Sequence, residues 1–254
     1  MRFLLSVLFS SLVTALPSSL SPVDLNARGP GTRFSTQCSS IRLNGAWLVA
    51  NCPKDNGRSL ESSIWLGSSL VNREGNLIWE VNGGFQGSCF DCNLLPNSGT
   101  LNCTCQTSFR PTRVTAIDLE EHVFNYNGHL LSDLAGPPTI PADKSYPFPA
   151  NTLFTLQPST ETVCGPGFSI TSNRPWPCFN LEIVRDGWLE WQTARFLEEV
   201  DNGRGNPGYE VTAYESKDCV GTPIGHMSVQ NATQCHTFAG KAKGLAIIPL
   251  WNWA

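Results

Sequence analysis

The chain repeats itself. Residues 34–79 open FSTQCSSIRLNGAWLVANC and run on to SSIWLGSSLVNREGNLIW; residues 85–131 open FQGSCFDCNLLPNSGTLNCTC and run on to TAIDLEEHVFNYNGHLL. Phe34 and Cys38 align with Phe85 and Cys89 at a spacing of 51 residues. Cys52, Ile64, Leu66, Asn72, Gly75 and Leu77 align with Cys105, Ile117, Leu119, Asn125, Gly128 and Leu130 at a spacing of 53. One two-residue insertion between the paired cysteines accounts for the change of spacing. A tandem duplication restricts this part of the fold to two copies of one unit.

The duplication also interprets the cysteines. Cys89, Cys92, Cys103 and Cys105 lie close enough together to suggest a zinc site, but Cys38 and Cys52 in the first copy have no third thiol nearby. Two thiolates alone do not complete a tetrahedral zinc site. A bridge across a hairpin suits them better, with LNGA (43–46) carrying the turn through its Asn-Gly pair. Alignment then pairs Cys89 with Cys105 and nests Cys92 and Cys103 inside that hairpin, where a bulge or twist brings their Cβ atoms within bridging distance. No metal and no cofactor are expected.

An oxidising compartment agrees with this. Arg2, the apolar run Phe3–Val13 and the small-residue pattern Val13-Thr14-Ala15 make residues 1–15 read as a secretory signal peptide. All ten cysteines follow it, so disulfides and an extracellular location are expected. No later stretch approaches the roughly 18 apolar residues of a membrane span. The net charge of -4 and the lack of a basic block point away from nucleic acid and anionic membranes as partners. Asn231, and less clearly Asn102 with its bridged neighbour Cys103, head N-glycosylation sequons.

The local patterns are those of a β protein. GNLIWEV (75–81) reads as a strand after a turn at Arg73-Glu74-Gly75. Asp118 is placed to cap the short helical segment LEEHV; Trp65 stands there in the first copy, so that cap is lost or moved to a nearby serine.

F-x-x-x-C and N-x-x-G-x-L in both copies, with L-x-A-x-C and S-x-I-x-L in the first and L-x-C-x-C and T-x-I-x-L in register in the second, resemble the cyanovirin-N family of lectins over residues 32–134, about two fifths of the chain. The resemblance implies an all-β, pseudo-symmetric module with repeats at about 34–84 and 85–134 and a pocket for mannose-type glycans at each far end. It places Arg33, Thr36, Gln37, Asp55, Asn125, Tyr126 and Asn127 around one pocket. It places Asn72, Arg73, Glu74, Gly84, Ser88, Gln106 and Thr107 around the other. Such residue types offer the donors and acceptors that sugar hydroxyls need. Departures are visible: Asn127 stands where Glu74 keeps an acid, and Pro53 and Gly87 stand where polar contacts are expected. Asn72, Asn125, Gly75 and Gly128 also have a purely structural explanation in their turns. A monomer or a domain-swapped dimer is expected, with high-mannose-type glycans as partners.

The expected fold class is therefore all-β: this module, a proline-rich linker or strap at 135–152, and a second small disulfide-stapled β domain of unknown function at 153–254. FSITS, CFNLEIV, GYEVTAYES and KGLAIIPLW read as its strands. Cys164–Cys178 and Cys219–Cys235 are the local pairings, one of three arrangements the four cysteines allow. Trp176, Trp188, Trp191, Trp251 and Trp253 suit either a core or a sugar-stacking platform. Glu198, Glu199 and Asp201 are the carboxylates closest to a glycosidase pair, though adjacent acids are more often solvated surface. His122, His129, His226 and His236 lack metal-ligand spacing, and G-x-S-x-G is absent. No catalytic residue is assigned. The expectation is a binding protein, with a secreted carbohydrate-active hydrolase, or an interaction protein whose sugar pockets have decayed, as alternatives.

Overall fold

Short runs bounded by Gly, Asn and Pro turns, some alternating in burial and others buried almost throughout, form eighteen strands among the described residues. The computed structural model describes residues 33–109, 111–141, 147–165, 168–180, 190–198, 208–228 and 234–251. The signal-peptide reading of residues 1–15, and Trp188, Glu199, Asp201, Asn231 and Trp253, lie outside them.

The first repeat starts with a helical turn, α1 (Phe34–Gln37), that buries Phe34. A three-stranded antiparallel sheet follows: β1 (Ser39–Asn44), β2 (Trp47–Pro53) and β3 (Ser59–Trp65). A 3-10 turn (Leu66–Ser68) then leads into the hairpin β4 (Leu70–Arg73) and β5 (Asn76–Trp79). The second repeat follows the same order: a turn at Phe85–Gly87, the sheet β6 (Cys89–Leu94), β7 (Thr100–Cys105) and β8 (Arg113–Asp118), a 3-10 turn at Leu119–Glu121, and the hairpin β9 (Val123–Tyr126) and β10 (His129–Ser132). Asp118 does cap its turn, accepting from the Glu120 N–H at 3.0 Å. Trp65 offers no side-chain cap to the equivalent turn.

The first hairpins differ where the insertion falls. Asn44 pairs with Trp47, so the loop is Gly45–Ala46, and only Gly45 of the two has positive φ, +59°. That matches a turn with glycine at its first central position, one residue later than an Asn-Gly centre. Leu95 N–H reaches Thr100 O at 2.9 Å, so the second copy closes over four residues, 96–99. Both first strands carry a bulge, with Ser40 (φ +53°) and Asp91 (φ +51°) as the left-handed residues. The second bulge sets Cys92 opposite Cys103, and they are bonded. Cys38–Cys52 and Cys89–Cys105 close the two hairpins as expected. In the first copy Ile41 and Ala50 occupy the positions of the extra cystine.

The second hairpins are exchanged. β9–β10 packs along β3 of the first repeat, and β4–β5 along β8 of the second. Two equivalent bonds fix this: Leu130 N–H donates to Ser62 Oγ at 2.7 Å and Leu77 N–H to Thr115 Oγ1 at 3.2 Å. Leu48, Leu66, Leu70, Leu101, Leu119 and Leu130 are fully buried beneath this exchange.

The C-terminal part is two four-stranded antiparallel sheets. One runs β12 (Ile170–Ser172), β11 (Phe154–Ser159), β14 (Trp191–Glu198), β17 (His236–Ala242). The other runs β13 (Trp176–Asn180), β18 (Gly244–Pro249), β15 (Tyr209–Tyr214), β16 (Gly225–Ser228). Phe154 of the first meets Tyr209 of the second at a ring separation of 4.5 Å, and both are buried. The expected local disulfides are replaced by Cys164–Cys235 and Cys178–Cys219. The reason is topological: Cys178 belongs to the β13 sheet, whereas Cys164 and Cys235 flank strands of the other. Trp191 and Trp251 are core residues, 4% and 0% exposed, and are not part of a surface platform.

Thr32–Ala254 forms one compact unit. Trp47 of β2 packs against Trp251 at 5.7 Å and Phe148 at 5.8 Å, and donates its indole N–H to Asn173 O at 3.2 Å. The strap is pinned by Phe148 N–H to Glu61 Oε1 at 2.7 Å. Tyr209 OH donates to Thr152 O at 3.0 Å, and its burial pushes the phenol upward in pKa.

Candidate functional site

The hairpin turns carry the candidate sites. Glu74 (φ +51°) and Gly75 (φ +83°) form the β4–β5 loop; Asn127 (φ +50°) and Gly128 (φ +93°) form the β9–β10 loop. Two successive positive φ values are the signature of a type I′ turn. Asparagine tolerates the first position; glutamate does so at a cost and requires compensation. Gly75 and Gly128 are required twice over. A Cβ on Gly75 would lie 2.8 Å from Thr107 Cγ2 and 3.0 Å from Arg113 Cβ, and one on Gly128 would lie 2.6 Å from Lys54 Cγ. Each turn is therefore pressed against the other repeat.

An asparagine stitches each turn to that neighbour. Asn72 Oδ1 accepts from Gly75 N–H at 2.8 Å, while its Nδ2 donates to Gln106 O at 2.8 Å and Ser88 Oγ at 3.0 Å. Asn125 Oδ1 accepts from Gly128 N–H at 2.7 Å, and its Nδ2 donates to Pro53 O at 3.0 Å. Pro53 can fill this role because the acceptor is a backbone carbonyl, which proline keeps.

The first turn residue completes the joint. Asn127 Oδ1 accepts from Asp55 N–H at 2.9 Å. Glu74 accepts from Ser108 N–H at 3.1 Å and from the Ser108 hydroxyl at 2.5 Å. The Ser108 hydroxyl, followed by its N–H, holds the Glu74 carboxyl below the ordinary glutamate range. These bonds also compensate the left-handed glutamate. One end thus offers a fixed carboxylate, and the other an amide beside the Asp55 backbone.

The structure brings Asn72, Glu74, Ser88, Gln106 and Thr107 together at one end, and Asp55, Asn125 and Asn127 at the other. Thr36 and Gln37 lie on α1, which packs against β9. Tyr126 packs edge-on to Phe124 at 6.5 Å. Arg33 faces elsewhere: its guanidinium meets buried Glu120 at 3.1 Å and Asp118 at 3.7 Å. Arg73 pairs with Glu80 across its own hairpin at 2.6 Å. Gly84 (φ +112°) precedes the Phe85–Gly87 turn and lines a cleft with Ser68 and Asn82. Gly87 is exposed, with nothing within 4 Å of an added Cβ.

Sequence reasoning missed Ser108, Lys54 and Arg113. The signal for Ser108 was available: the 53-residue spacing places it on Asp55. Asn102 sits half-buried in β7, the central strand of its sheet. Among the described residues no cluster of three or more His, Cys, Asp or Glu is arranged to hold a metal.

Residues 34–131 match the CVNH domain family. Similar solved structures include a microvirin:mannobiose complex (30% identity, 40% of this chain and 99% of that one, TM-score 0.37). Others are a MoCVNH3 variant in complex with (N-GlcNAc)4 (22%, 40% and 99%, TM-score 0.38) and the CVNH protein of T. borchii (26%, 40% and 99%, TM-score 0.36).

Proposed function

We propose, from the match of residues 34–131 to the CVNH domain family, that the protein is a secreted lectin that binds mannose-type glycans at its two exchanged turns. The observation that carries the reading is the clamp of each turn onto the other repeat through Asn72 or Asn125. A sugar hydroxyl is bound well only by donors and acceptors already held in place, and these turns are held by side chain, backbone and glycine contact at once. A few net hydrogen bonds of about 1 kcal/mol each, less the cost of association, correspond to millimolar to micromolar affinity for one short sugar. Engaging two sites on a clustered glycan raises avidity by about 10²–10⁴. The protein is read as a binder and not a catalyst.

A glycan array with full-length protein in EDTA tests this, carrying mannose-rich structures, mannobiose and GlcNAc oligomers. Binding to mannose-rich structures is expected. Silence across the array, or binding only to GlcNAc oligomers, would overturn the assignment.

A further inference from the structure

The turn at Leu66–Ser68 and the loop at Asn82–Gly84 face the Arg174–Phe179 segment across a cleft of about 250 Å³. Trp65, Trp176 and Phe179 give it aromatic walls, and Ser68 and Asn82 a polar edge. Gly67 lets the Trp65 and Gln86 side chains close directly over its backbone, since a Cβ there would meet Trp65 Nε1 at 2.4 Å and Gln86 Oε1 at 2.6 Å. The indole N–H of Trp176 and Oε1 of Gln86 are buried without a hydrogen-bond partner among the described residues.

Arg174 is the only charged side chain in this lining, in a protein whose net charge is -4. Its guanidinium sits 5.0 Å from the Trp176 ring centroid and makes no ion pair among the described residues. Arg33, Arg42 and Arg73 each face a carboxylate, while Arg58 and Arg113, like Arg174, face none among the described residues. A guanidinium stacked on an indole is oriented and only partly hydrated, and its fork matches a carboxylate bidentately. With no acid in the lining, the fork is open to a carboxylate carried by a ligand.

We propose that the cleft binds the carboxylate-bearing ring of an acidic saccharide, a hexuronate unit, with Arg174 as the anchor. The volume falls below the roughly 300–1,000 Å³ typical of drug-sized ligands, which suits a single pyranose ring. Trp176, with Phe179 against its ring at 4.0 Å and Arg174 over it, offers a sugar ring its apolar edge, and Ser68 and Asn82 meet hydroxyls. A bare anion would leave those walls unused. The site uses none of Asn72, Glu74, Asn125 or Asn127 and does not rest on the reading of the turns.

The test is calorimetric titration of the full chain with sodium glucuronate, glucose and sodium acetate, alongside Arg174→Gln and Arg174→Lys. Glucuronate is expected to bind one site, with glucose and acetate at least tenfold weaker. Arg174→Gln should weaken glucuronate tenfold or more, and Arg174→Lys should fall between, because a point charge replaces a fork. Array binding through the turns should survive both substitutions, which are at an exposed position. Equal binding of glucuronate by Arg174→Gln and the parent, acetate matching glucuronate, or no heat at millimolar glucuronate would each overturn the proposal.

Discussion

Asn72 offers the sharpest test of how the two repeats are joined, because its two amide ends do different work. Oδ1 closes its own turn on Gly75 N–H, and Nδ2 reaches the other repeat at Gln106 O and Ser88 Oγ. Asn72→Asp keeps the turn acceptor but removes both donors and sets a carboxylate against a carbonyl. At about 1 kcal/mol net per hydrogen bond, Asn72→Ala should cost about 3 kcal/mol and Asn72→Asp about 2 kcal/mol or more. Asn125→Ala, which loses two described bonds, should cost about 2 kcal/mol. In a chain of this size about 1 kcal/mol moves Tm by roughly 2–4 °C, so Asn72→Ala should melt about 6–12 °C below the parent. Thermal and urea denaturation, read with the disulfides intact, measure these differences. An Asn72→Asp protein as stable as the parent would refute the reasoning, since the stitch between repeats would then contribute nothing.

Glu74 has a folded-state pKa below its ordinary value because Ser108 donates to it twice. Its contribution is therefore present above the ordinary glutamate value of about 4.3 and lost as pH falls through the lower folded value. A pH titration of the Ser108 amide resonance should show this step, and Glu74→Gln should abolish it. Replacing Cys92 and Cys103 by Ile and Ala, the residues at those positions in the first copy, should leave the fold intact. An 11-residue loop limits the chain-entropy loss to about 3 kcal/mol, and the surrounding Cys89–Cys105 bridge reduces it; denaturant midpoints report the difference. Trp251→Ala should cost about 3–5 kcal/mol, because Trp251 joins the module to the sandwich through Trp47, Phe148 and Tyr209; differential calorimetry measures it.

The repeat was legible because each copy carries its own local instructions. Paired cysteines, a turn glycine and an alternating strand fix a hairpin within a short span of chain. The exchange of hairpins was not, since the aligned residues are the same whichever repeat each hairpin packs on. Only the family resemblance, and not the spacing, set the Asn125 turn against the first repeat. In the C-terminal part β11 was missed because Pro158 interrupts its pattern, and β17 because HTFAGKA mixes Gly and Lys into a strand. Its disulfides were misread because cysteines near in sequence lie on different sheets. Arg33 was assigned to a pocket by position, while the buried carboxylate of Glu120, which draws it away, is visible only after folding.

The trade of hairpins makes each candidate end a joint product. Neither half of the duplicated segment owns a complete one, so a chain bearing only residues of one copy would hold a turn with nothing to press against and a ledge with no turn upon it. Supplied on separate polypeptides, the halves would complete an end only by meeting, and they would then complete both at once.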